Sequence, residues 1–147
     1  MDKYSEIKKI IEEAGDNVEF AEYGNGISDE WIKKAEVRLG FNLPETYKWW
    51  LRNYSGGEIR GEEIYSIYEQ DFDTVVGGDI VYMHELNKKQ HNYENNMLVI
   101  CETDDSVFYF DVSANASENE YPIMSLNENT LYAHDFIEFL KNRIINE

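Results

Sequence analysis

The residues with catalytic potential in this chain do not stand at catalytic spacings. His84 and Glu85 begin the helical zinc-protease pattern, in which two histidines one turn apart hold the metal and the glutamate is the base, but Lys88 occupies the second histidine position. Three histidines, at 84, 91 and 134, and one cysteine cannot furnish a structural zinc site. Glu69, Asp71 and Asp73 alternate as the first ligands of a calcium loop do, yet the glycine that turns such a loop and the glutamate that closes it are missing. Gly77 and Gly78 lack the lysine and hydroxyl residue that follow in a phosphate cradle, so the pair is a turn. Cys101 sits in an apolar run, where a thiol stays protonated and behaves as a small hydrophobe. No Gly-x-Ser-x-Gly elbow is present. A carboxylate pair such as Glu102 with Asp104 does acid–base work only in a geometry that spacing alone does not supply. The sequence therefore predicts a protein that is not an enzyme, with no catalytic residue, no metal ligand and no cofactor.

What the chain does carry is charge. Its 147 residues hold 13 Lys and Arg against 30 Asp and Glu, a formal net charge of −17. Between Glu58 and Asn87 Arg60 is the only Lys or Arg, and from Gln90 to Leu140 neither occurs. Such a surface repels phosphate backbones and anionic lipid, so the expectation is no direct nucleic acid, no membrane, and a basic protein as partner. Apolar content of 42% supplies a packed interior despite the charge, and the length suits one domain, 1–147. Cys101 alone cannot form an internal disulfide. Asp2, Glu6 and Glu12 stand where a signal peptide needs a basic start and an apolar stretch, which points to the cytoplasm. The longest apolar run, Met97 to Cys101, is far short of the roughly twenty residues of a bilayer span.

The elements that must position these groups follow from periodicity. Tyr4, Ile7, Ile11 and Ala14 share one helical stripe, with Gly15 as a stop. Ser28 caps a second helix carrying Trp31, Ile32, Ala35 and Leu39 on one face until Gly40. Pro44 opens a third, with Tyr47, Trp50, Leu51 and Tyr54 on its stripe, Trp49 off it, and Gly56 and Gly57 as its end. A strand is predicted near 63–68, then a short helix over 79–89 capped by Asp79. Strands at 97–101, 107–112 and 121–126 form a meander, with a turn at 103–106 and a polar loop at 115–120. A last helix from about Thr130 presents Phe136, Ile137, Leu140 and Ile144. The fold class is α+β: a single domain with a central, mainly antiparallel sheet (meander 97–126 plus the strand near 63–68) flanked by N-terminal and C-terminal helices.

The stretch Leu39-Gly40-Phe41-Asn42-Leu43-Pro44-Glu45-Thr46-Tyr47, continuing through Trp50-Leu51 to Tyr54-Ser55-Gly56-Gly57, resembles the signature of the SUKH superfamily, the domain first associated with a yeast cell-wall synthesis regulator. The later Tyr109-Phe110-Asp111, Pro122-Ile123 and Phe136-Ile137-Glu138-Phe139-Leu140 agree in order, so the resemblance spans nearly the whole chain. It implies a non-enzymatic domain that in bacteria commonly serves as an immunity protein, neutralising a cognate secreted toxin that is frequently a nuclease. The alternative is a regulatory protein-interaction scaffold without a toxin. The base-poor regions give the candidate partner-binding acids: Glu58, Glu62, Glu63, Asp71 and Asp73 in the middle, and Glu102, Asp104 and Asp105 at the meander turn. Tyr65 and Tyr68, expected to be exposed, are the candidate anchors.

Overall fold

Local signals set the helices. In the computed structural model, which describes residues 2–74, 77–114 and 119–145, Asp2 caps α1 (Lys3–Glu13) by accepting from the Ser5 amide. Ser28 accepts from the Trp31 amide to start α2 (Asp29–Leu39), which Gly40 closes in the left-handed conformation, φ 89°. Pro44 precedes α3 (Glu45–Tyr54) as its N-cap, just outside the first turn. Asp79 caps α4 (Ile80–Gln90), accepting from the Val81 and Tyr82 amides at 3.0 Å. The chain ends in α5 (Phe136–Ile145).

Seven strands pair strictly in sequence order, so the sheet is one antiparallel meander: β1 (Val18–Phe20), β2 (Gly57–Ile59), β3 (Glu62–Ile64), β4 (Met97–Glu102), β5 (Val107–Asp111), β6 (Ile123–Ser125) and β7 (Thr130–Ala133). The expected α+β architecture and the strands at 97–101 and 107–112 are present. Three details differ. β1 and β2 were not expected, because each is three residues long and one begins inside the glycine pair read as a stop. The strand near 63–68 pairs only through Ile64 in the ladder with β4, and Ser66 turns away to bond Gly78 and Ile80. Residues from Thr130 form an edge strand, and the helix begins six residues later, where Asp135 accepts from the Glu138 amide. The polar loop expected at 115–120 lies outside the described residues at 115–118.

On β5 one face meets the helices, while β4 is buried on both of its faces. Phe108 and Phe110 of β5 alternate with Val107, Tyr109 and Asp111, and only the first two are buried among Tyr47, Phe136 and Phe139. Tyr47, Trp50 and Phe136 are fully buried, with the Tyr47 and Phe136 rings 5.0 Å apart near a right angle. Trp49, off the α3 stripe, is half-buried against Tyr4 of α1. Because Pro44 offers no capping side chain, buried Glu120 does that work from the strand side, accepting from the Thr46 amide and hydroxyl at 2.9 Å each. The Thr46 hydroxyl in turn accepts from the Phe136 amide, which ties the starts of α3 and α5 together.

Candidate partner interface

Strand register assembles the acidic residues into a row. Glu19 pairs with Glu58 across β1 and β2, and Glu58 with Glu63 across β2 and β3. One step along the antiparallel ladder from the Ile64–Cys101 pair, Glu63 neighbours Glu102 of β4. Side chains alternate along a strand, so these four carboxylates share the face opposite buried Ile59, Ile64 and Cys101. Like charges directly opposite one another weaken a sheet. Among the described residues no lysine or arginine comes within ion-pair distance of any of the four, although ten lysine or arginine ion pairs form elsewhere.

The nearby cations are spent on the other side. Arg60 donates to the C-terminal carbonyls of Arg143 and Ile144, where a helix end is negative. Arg143 pairs with Glu62, which shares the helix-facing side of β3 with Ile64. Tyrosines supply the donors to the row instead. The Tyr65 and Tyr93 hydroxyls donate to the two oxygens of Glu102, and the Tyr68 hydroxyl donates to Glu63. Burial, reinforced by those carboxylates, pushes the Tyr68 and Tyr93 hydroxyls up to about 12 and Tyr65 higher, so all three stay protonated donors.

The ten sequence candidates therefore separate. Glu58, Glu63, Glu102, Tyr65 and Tyr68 come together, with Asp104 and Asp105 exposed on the turn beyond Glu102. Glu62 does not join them. Asp71 and Asp73 lie against α2, where Asp73 takes Arg38 at 2.6 Å and Asp71 accepts from the Asp73 amide. Asp71 borders a groove of about 560 Å³ over Trp31, Val37 and Phe72, lined also by Lys33, Lys34 and the Arg38 that pairs with Asp73, so the surroundings of both are not acidic. Tyr65, expected to be exposed, is 8% exposed, because its ring lies in the core and its hydroxyl is held by Glu102; Tyr68 is 38% exposed. Sequence reasoning missed Glu19 and Tyr93. Glu19 becomes visible only with the β1 pairing, and Tyr93 only when the segment after α4 folds back toward Glu102.

Elsewhere the titratable groups sit as structure. Among the described residues no group of three or more His, Cys, Asp or Glu side chains could hold a metal ion. Burial pushes the Cys101 thiol up to about 12, which leaves it neutral. Burial, with Lys88 adding to it, pushes buried His84 down from 6.5 to about 4. The unfolded chain therefore binds a proton that the native state refuses between those values, so stability falls as pH drops through that window. Wild type is expected to lose on the order of 2 kcal/mol between about pH 7.5 and about pH 5 by urea unfolding. His84→Gln should remove that loss; an equal loss in both proteins would contradict the assignment.

Among the described residues no helix is long and apolar enough to cross a membrane. Residues 29–140, from the first residue of α2 into α5, match the family model SUKH_6, described as SMI1-KNR4 cell-wall.

Proposed function

The chain belongs to the SMI1-KNR4 (SUKH) family, which includes toxin-immunity proteins and is generally immunity or regulatory rather than catalytic, and from that premise we propose that it is an immunity protein that binds a cognate secreted toxin, a nuclease with a basic active site, and occludes it. The observation that carries this reading is the row Glu19, Glu58, Glu63 and Glu102, four carboxylates across four adjacent strands with no lysine or arginine paired to them among the described residues. A nuclease site is cationic because it grips phosphate. A surface with the charge pattern of a nucleic-acid backbone competes for the same groups, and its field speeds encounter before the toxin acts. The tyrosine hydroxyls hold Glu63 and Glu102 in place without neutralising them, so the potential is kept while the side chains lose little freedom on binding.

Co-expression with the toxin encoded beside it tests the function: this chain should restore growth, and the purified pair should form a complex whose nuclease activity is lost. Absence of rescue, with the toxin shown to be active and the chain folded, would overturn the immunity reading and favour a regulatory scaffold.

A further inference from the structure

Beside Glu63, in the middle of the acidic row, the surface is not flat. A groove of about 370 Å³ opens between the Ser55-Gly56-Gly57 turn and the segment 66–69, floored by Ile27 and Ile67 and walled by Tyr68, Glu63 and Glu69. Its two carboxylates are anchored by one oxygen each. Glu63 Oε2 accepts from the Tyr68 hydroxyl at 2.5 Å, and Glu69 Oε2 accepts from the Ser28 hydroxyl and amide at 3.3 and 3.4 Å, at the positive start of α2. Each carboxylate keeps its Oε1 without a donor among the described residues, and neither has a cation within ion-pair distance. The groove is thus lined by two carboxylates that each keep one acceptor oxygen without a donor among the described residues, a part-exposed phenol ring and an apolar floor.

We propose that this groove receives one arginine side chain of the protein partner. A planar guanidinium forks to carboxylate oxygens, lies on an aromatic face and rests its methylenes on aliphatic carbon, matching the three surfaces present. A lysine ammonium is more strongly hydrated and cannot fork, so it satisfies the acceptors but not the shape. The glycine turn sets the wall. A Cβ on Gly56 would come within 2.5 Å of the Ser66 hydroxyl, so a side chain there would force the turn and the 66–69 segment apart, whereas one on Gly57 would come within 2.1 Å of the Glu19 carbonyl and push β1 away. The occupant's origin rests on the immunity reading; the groove's preference for arginine does not.

That separation sets the experiment. The full chain, labelled with nitrogen-15, is titrated with acetyl-Gly-Arg-Gly-amide, with the lysine peptide and with the neutral citrulline peptide. The expected result is shifts centred on Gly56, Gly57, Ser66, Tyr68 and Glu69, on the order of tenfold weaker binding for lysine, and none for citrulline. The double variant Glu63→Gln, Glu69→Gln should lose the arginine shifts while keeping the rest of the spectrum. Equal shifts from arginine and lysine, shifts spread over the whole acidic row, shifts at Trp31 and Phe72 instead, or no shifts at all would each overturn the proposal. If that double variant still protects cells with undiminished affinity for the toxin, the groove is not part of the interface and the immunity reading stands without it.

Discussion

Replacing Glu19, Glu58 and Glu63 together with lysine is expected to slow association with the cognate toxin by about 10- to 1,000-fold at low ionic strength and to flatten its salt dependence. The three residues face one another across β1, β2 and β3, so the change inverts the potential over one patch. Glu102 is left alone because it holds the hydroxyl of buried Tyr65, and losing that acceptor would mix a folding defect into the result. A control with the same change in net charge, Glu30→Lys, Asp71→Lys and Asp73→Lys, alters the region around α2, where Lys33, Lys34 and Arg38 already stand. Stopped-flow association should slow far less for the control. Equal slowing in both triple variants would mean that total charge rather than the row governs encounter. An unchanged rate in the first would remove the row from the interface.

Phe136→Ala should cost about 3–5 kcal/mol of stability, the range for emptying an aromatic site in a packed core. Phe136 is fully buried and its ring meets Tyr47 at 5.0 Å, Trp50 at 5.2 Å and Phe139 at 5.6 Å, while its amide bonds the Thr46 hydroxyl. The cavity would therefore open where α3, α5 and the sheet converge, with large groups on every side that cannot collapse inward. Leu131→Ala, at a β7 position 46% exposed, should change stability by less than about 1 kcal/mol. Urea midpoints for the two variants check the contrast. A loss below about 1 kcal/mol for Phe136→Ala would mean that the helix layer is not held at this point.

Much of this fold is legible in the residues because its signals are local. Ser28, Gly40 and Asp79 announce helix ends by side-chain or backbone chemistry that acts within a turn, and Met97 to Ile100 is apolar throughout because the strand is covered on both faces. What was hidden depends on pairing. Val18-Glu19-Phe20 is too short for alternation to stand out, and it is a strand only because Gly57 to Ile59 lies beside it. Gly57 reads as a stop, yet its missing side chain lets β1 approach. The stripe of Phe136, Ile137, Leu140 and Ile144 extends backward in the eye to Thr130, although Asp135 marks the true start. The interface candidates suffered similarly. Proximity in sequence grouped Glu62 with Glu63, but a strand sends them to opposite faces, one to Arg143 and one to the open row. Glu63 and Glu102, 39 positions apart, become neighbours only through register.

Carboxylate footprinting of the complex tests the central claim most directly: carbodiimide coupling to each Asp and Glu, read by mass spectrometry with and without bound toxin. Protection should fall on Glu19, Glu58, Glu63 and Glu102, while Glu30, Asp71 and Asp73 label as they do in the free protein. Full labelling of those four in a complex that still silences the toxin would contradict the account.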